Sequence, residues 1–268
     1  MTTMTMEKVR HKQPAVDTPI PPTRIVEVEL RKMFDTRSGF WLMASIVISA
    51  LIATIALIVF APDDELTYAS FGKAIAYPML VILPMIALLS VTSEWSQRSG
   101  LTTFTLIPHR GRVITAKAVA SISIGVASMV LALAIGALGN VVGTAITGTP
   151  AVWDVSLAES SYIVLGNLLG LMSGFMLGVL IRSSPGAIVA YFVYTFALTP
   201  LFILLANSQA WFHDSRAWID VNFAQAPLFM FDGAVTGEQW ANIGFTAVFW
   251  LVIPLAVGLR QVLRSEIT

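Results

Sequence analysis

The chain contains no cysteine. That absence excludes a disulfide framework, a thiolate-ligated metal site and a thiol nucleophile. Charge is scarce as well. Only 12% of the 268 residues are Asp, Glu, Lys or Arg, against about 25% in an ordinary soluble domain. Half the usual charge does not solvate a water-soluble globule of this length, and 56% apolar content excludes a disordered chain. The three histidines, His11, His109 and His213, share no metal or haem spacing. The only Gly-Lys pair is Gly72-Lys73. Ala74 follows it, and Thr67 stands where a P-loop needs its first glycine, so the chain does not cradle phosphates that way. Neither G-x-S-x-G nor H-E-x-x-H occurs, which removes two hydrolase signatures.

What is present is long apolar runs. Six stretches lack any Asp, Glu, Lys or Arg: Gly39 to Ala61, Ala74 to Val91, Ala118 to Ile146, Ser161 to Ile181, Ala187 to Ala206 and Ile243 to Leu259. A helix needs about 20 apolar residues to cross roughly 30 Å of hydrocarbon. The stretches are apolar all round, without the polar stripe of a buried soluble helix or the short alternation of a β-barrel. The reading is an all-α membrane protein with six transmembrane helices. The third stretch is long enough to tilt or project beyond the bilayer.

The basic residues orient the spans. Residues 1–38, the loop after the second span, Arg182, Arg260 and Arg264 together hold fourteen Lys and Arg. The opposite loops hold only Lys73 and Arg216. The first side is therefore expected to be cytoplasmic, with both termini there. Fourteen bases against seven acids make it +7, while two bases against nine acids make the outer face −7. No signal peptide is expected, because 38 mostly polar residues precede the first span.

Residues 1–23 read as a disordered arm, ending in Thr18-Pro19-Ile20-Pro21-Pro22-Thr23; residues 24–268 read as one transmembrane domain. At 100° per residue Val26, Leu30, Met33 and Phe34 share an arc, so residues 24–37 read either as an interfacial helix or as a basic flank. Pro78 and Pro84 in the second span, Pro200 in the fifth and Pro254 in the sixth are kink positions. Gly166, Gly170, Gly174 and Gly178 place a glycine every four residues along the fourth span. Ser128, Ala132 and Gly136, with Gly139 and Gly143, do the same in the third. These stripes serve close packing within the chain, for instance third span on fourth, or a dimer seam. The aromatic-rich outer segment Asn207 to Asn242 reads as short interfacial or re-entrant helices between spans five and six.

No span carries an ionisable side chain, which argues against a proton- or sodium-coupled carrier. The polar groups there are neutral, among them Ser45, Ser49, Thr54, Ser90, Ser121, Ser123, Ser128, Asn140, Thr144, Asn167, Ser173, Thr195 and Thr199, and most are expected to bond back to their own helices. Such a pathway suits apolar or amphipathic cargo and leaves no energy source in this chain.

The inner segment Glu94 to Lys117 mixes bases with Trp95, Leu101, Phe104, Leu106 and Ile107. It reads as a docking element for a partner, or as a segment lying on lipid. The run Glu94, Gly100, Thr102 or Thr103, Leu106, Pro108, Arg110, Arg112 and Lys117 resembles the E…G-T…L…P…R…K pattern after the second span in ABC transporter permeases of the ABC type-2 (exporter) family. Glu29-Leu30-Arg31-Lys32, leading to Arg37, resembles that family's N-terminal E-L-x-K segment.

The resemblance implies a bacterial inner-membrane permease subunit of an ATP-driven exporter, moving drug, antibiotic or lipid outward. It implies an ABC ATP-binding subunit as partner, holding the ATP and magnesium, and a second permease copy or paralogue. It places a cytoplasmic coupling helix between spans 2 and 3, with Glu94, Arg98, Leu101, Phe104, Pro108, Arg110, Arg112 and Lys117 as coupling residues. Glu29, Leu30, Lys32, Phe34 and Arg37 become the interfacial helix beside it, and Pro78, Pro84 and Pro200 become hinges. This chain would hold no catalytic, cofactor or metal site, and no nucleic-acid partner is expected. The competing readings are a non-transporting scaffold or sensor subunit, and a lipid enzyme built on His213, Asp214 and Asp220.

Overall fold

A computed structural model of the protein describes residues 20–96, 110–231 and 233–264. The helices in chain order are α1 (Pro22–Asp35), α2 (Arg37–Phe60), α3 (Tyr68–Ser96), α4 (Arg110–Thr147) and α5 (Leu157–Ile181). They continue with α6 (Ser184–Ser208), α7 (Ala210–Ile219), α8 (Val221–Gln225) and α9 (Gly237–Arg264). Among the described residues there is no strand, only one isolated bridge between Thr67 and Val152. Six helices, α2 to α6 and α9, are long and apolar enough to cross a membrane, and each carries one of the uncharged stretches.

The stretches locate the apolar middles of the helices and miss their ends. α3 runs past Val91 to Ser96 and so contains Glu94. α4 starts at Arg110 and so contains Lys117. Both ends of the inner connection expected from Glu94 to Lys117 are thus helix, and residues 97–109 between them lie outside the described residues. A helix continues wherever its backbone hydrogen bonds do, and charged side chains stop it only when they lack partners.

α1 likewise corrects the expected 24–37 boundaries. It begins at Pro22, where a proline costs no hydrogen bond, and ends at Asp35. Thr36 is extended, and its hydroxyl accepts the Gly39 N–H at 3.1 Å to cap α2, so Arg37 belongs to α2. The buried face of α1 is Ile25, Glu29 and Met33, one turn apart each. Val26 and Leu30 are half-buried and Phe34 is exposed. The face turned to the bundle is thus not the apolar arc alone: it takes Glu29 inward and leaves Phe34 out.

α3 and α5 form the centre, with 56% and 61% of their apolar windows buried, against 6% for α6. The glycine stripe of α5 explains the pairing. It packs on α3, the second span, and not on the third as the sequence reading offered. A β-carbon on Gly174 would lie 2.7 Å from the Pro84 α-carbon, and one on Gly178 would lie 3.1 Å from the Leu88 carbonyl oxygen. Gly170 is looser, at 3.8 Å from the Pro84 ring, and Gly166 faces the Phe229 ring. The stripe glycines of α4 turn elsewhere: Gly136 meets Phe71 and Ile75, Gly139 meets Thr54 and Phe71, and Gly143 meets Ile58 and Phe71. The third span therefore seats these small residues on the first and second, and only Gly125, outside the stripe, faces Leu168 and Leu171 of the fourth.

Ends are tied by side chains. Asp154 accepts the Ala69 N–H at the start of α3 at 2.9 Å. Ser156 with Glu159, and Thr236 with Gln239, form capping boxes at the starts of α5 and α9. The side chains of Ser45, Ser49, Ser90, Ser123, Thr144, Asn167, Ser173 and Thr199 donate to carbonyls three or four residues back in their helices, as expected for most of the set, whereas Asn140 donates to the Val152 carbonyl outside its helix and Thr54 Oγ1 is buried without a partner. Pro78 and Pro84 lie inside an unbroken α3. In α6 and α9 the helix opens into a wide turn at Val193–Ala197 and at Val248–Val252. The carbonyl four residues before Pro200 is Phe196, and before Pro254 it is Trp250. Both lie in the wide turns, where the extra room relieves the clash with the proline ring.

Candidate functional site

Two places in the bundle gather polar chemistry. The first is at the end that carries α1. Glu29 and Lys32 sit three residues apart on α1, Glu94 near the last turn of α3, and Lys117 in the second turn of α4. Lys117 Nζ lies 2.5 Å from Glu29 Oε2 and 3.2 Å from Glu94 Oε1. It also donates to the Ser90 carbonyl at 3.0 Å. Lys32 Nζ lies 2.7 Å from Glu29 Oε1 and 3.5 Å from Glu94 Oε1. Glu94 Oε1 is thus held by charge, without a well-aligned hydrogen bond. Glu29, Glu94 and Lys117 are all at most 5% exposed. Two acids and two bases cancel, which is what permits their burial. Burial works to lower the Lys32 pKa, but its hydrogen bond to Glu29 and the charges of Glu29 and Glu94 outweigh this and hold it above the usual lysine value.

This cluster bolts α1 to the end of α3 and the start of α4. Arg112 adds a second tie, donating to the Ile20 carbonyl at 2.5 Å. Ser184 at the start of α6 donates to Thr92 of α3 at 2.8 Å. Of the sequence-selected residues, Glu29, Lys32, Glu94 and Lys117 come together. Leu30 packs against the apolar core, while Phe34 and Arg37 are exposed. Arg98, Leu101, Phe104 and Pro108 lie outside the described residues, as does the Arg110 side chain.

The second place is a cavity of about 480 Å³ between α3, α5, α6 and α8. Its walls include Leu80, Phe196, Pro200 and Phe229, with the polar side chains of Tyr77, Ser173, Tyr191, Tyr194, Thr195 and Asn222. No charged side chain lines it. Tyr191 is 1% exposed and donates its hydroxyl to the Leu80 carbonyl. That carbonyl lies four residues before Pro84, so the proline leaves it without its helical N–H. The tyrosine of α6 therefore supplies the hydrogen bond that the proline of α3 removed. Tyr191→Phe is expected to destabilise the protein by about 1–3 kcal/mol, because a buried carbonyl loses its donor; a thermal melt in detergent reads it. Across the cavity, Asn222 donates to Thr199 at 2.9 Å. Tyr194 Oη is buried and has no hydrogen-bond partner; the neighbouring Ser173 hydroxyl donates to Leu169 instead.

The sequence reading missed the cavity, although it had named Ser173, Thr195 and Thr199 as neutral polar span residues. The available signal was the tyrosines at 191 and 194, inside an apolar run rather than at its ends.

His213 builds no site. His213 Nδ1 is 3.4 Å from Asp214 on the exposed surface. Asp220 is fully buried and engaged with Arg216 Nε at 3.1 Å and with the N–H groups of Asn222 and Phe223. Among the described residues no group of His, Asp and Glu could hold a metal ion. Compared with known proteins, the sequence matches no family model and no curated protein. The geometry thus defines the class on its own: a multi-pass helical membrane protein with six spans, a buried ion cluster at one end and an uncharged cavity within.

Proposed function

We propose that this chain is the permease subunit of an ATP-driven ABC exporter that moves a hydrophobic or amphipathic cargo outward. The observation that carries the reading is the ion cluster. Glu29 and Lys32 come from one motif-like segment, Glu94 and Lys117 from the other, and all four meet in one buried set. In this reading α1 is the interfacial helix, residues 97–109 with their flanks are the coupling element, and α7 and α8 are the re-entrant outer cap. Both termini are cytoplasmic, in the bacterial plasma membrane. An ABC ATP-binding subunit presses on the coupling element and supplies ATP and magnesium. The cluster passes that push to α1, α3 and α4 as one rigid unit, because moving one helix alone separates buried opposite charges. Pro78, Pro84 and Pro200 serve as hinges, and a second permease copy or paralogue completes the complex.

The test replaces Leu101 and Phe104 with Asp, placing two charges on the docking face. Co-purification with the ATP-binding partner subunit should be lost, along with cargo-stimulated ATP hydrolysis in liposomes. Undiminished complex and undiminished stimulation defeat the coupling assignment. Complex formation without any cargo stimulation leads to the scaffold or sensor reading, against which the cavity speaks.

A further inference from the structure

We propose that the cavity between α3, α5, α6 and α8 is a binding site for an uncharged amphiphile that enters sideways from the bilayer. The site stands on the cavity; only its role as the cargo site rests on the export reading above.

Its volume of about 480 Å³ falls within the roughly 300–1,000 Å³ of small-molecule sites. The wall chemistry selects the ligand. Leu80, Phe196, Pro200 and Phe229 supply an apolar surface, and hydroxyl and amide groups are interspersed among them. No lysine, arginine, aspartate or glutamate reaches the lining. The nearby Asp220 is already engaged by Arg216 and two backbone N–H groups. A charged ligand would lose its hydration here without gaining a counter-charge, which costs several kcal/mol. A neutral one loses little.

Among the described residues lining the cavity, one buried side-chain polar atom lacks a hydrogen-bond partner. Most hydroxyls around the cavity are committed: Tyr191 to Leu80, Ser173 to Leu169, Thr199 to Thr195. Tyr194 Oη has no partner in hydrogen-bonding geometry; the Ser173 hydroxyl nearest it donates to Leu169. A phenol both donates and accepts, and a buried one left unpaired is unfavourable. A ligand with one hydrogen-bonding group satisfies it. The ring is also held for this task, standing edge-on to Trp250 at 5.9 Å in the wide turn that Pro200 requires.

The direction of entry follows from exposure. Tyr77 is 70% and Phe196 53% exposed, and both line the cavity. They lie on the long sides of α3 and α6, not at the helix ends, so the mouth faces where lipid lies around a spanning bundle. A molecule already dissolved in the bilayer reaches it without crossing water.

The experiment uses the full chain in lipid nanodiscs with two probes. N-phenyl-1-naphthylamine is neutral and has one N–H. The anilinonaphthalene sulfonate has a similar apolar body and a permanent negative charge. Energy transfer from tryptophan to the neutral probe should saturate, and the sulfonate should not compete. Tyr194→Phe should weaken the neutral probe roughly 3- to 10-fold, one hydrogen bond's worth, while the melting temperature stays level or rises because an unpaired hydroxyl is gone. Thr195→Phe, which fills the cavity, should abolish saturation. Absence of saturation in the unaltered protein, saturation unaffected by both substitutions, or equal competition by the sulfonate each overturns the assignment. The assay contains no ATP-binding subunit. Probe binding with failed coupling defeats only the exporter reading, and coupling without probe binding defeats only this site.

Discussion

Replacing Lys117 with methionine should lower the stability of the protein by about 3–5 kcal/mol, the usual cost of removing one partner from a buried ion pair. Its ammonium sits between two carboxylates, 2.5 Å from Glu29 and 3.2 Å from Glu94. All three side chains are almost fully buried. Without it, two negative charges on separate helices face each other with only Lys32 nearby, at 2.7 and 3.5 Å. Lys32→Met should cost far less, about 0–1 kcal/mol, because that side chain is 45% exposed and water screens it. Combining Lys117→Met with Glu94→Gln should recover part of the loss, since the second change removes a stranded charge. Thermal melts of the three variants in nanodiscs separate these cases. Equal effects of Lys117→Met and Lys32→Met would show that the cluster is not a buried bolt.

Gly174→Ala should be the most damaging single methyl in the fourth span, and Gly170→Ala should be close to neutral. The two glycines lie one turn apart on the same stripe and look alike in sequence. At 174 the added carbon meets Pro84 backbone, 2.7 Å from its α-carbon and closer to its carbonyl oxygen. Backbone cannot rotate aside, so α3 and α5 must separate, at a cost of about 1–3 kcal/mol or more. At 170 the nearest atom is 3.8 Å away, an ordinary contact. Gly166 is a third case: the obstacle is the Phe229 ring, a side chain that can turn, though turning it reshapes the cavity. Melting temperature ranks the variants. A Gly170→Ala loss as large as that of Gly174→Ala would contradict the pairing of α3 with α5.

The six spans were legible because desolvating a charge is so costly that its absence over about 20 residues is a strong signal. Capping was partly legible too: Ser156 with Glu159 and Thr236 with Gln239 have the spacing of a capping box. The glycine stripe announced close packing without naming the partner helix, since any helix with room for a backbone contact would serve. Phe34 shows the limit of periodicity. It shares the apolar arc of α1 with Val26, Leu30 and Met33, yet of these only Met33 is buried, and Glu29 is buried with it, because its counter-charge lies on another helix.

By itself the sequence determined the number of spans, their apolar middles and the sidedness of charge, all consequences of local composition in a hydrocarbon solvent. It also marked Glu29, Lys32, Glu94 and Lys117 through two separate motif-like segments. Only the tertiary structure decided that these four meet, that Tyr191 restores the hydrogen bond lost at Pro84, and that an uncharged cavity remains beside them. The partners stand 88 residues apart for Lys117 and Glu29, and 111 for Tyr191 and Leu80. No local period encodes such pairings; they exist once α3 and α5 have packed and the remaining helices have settled around them.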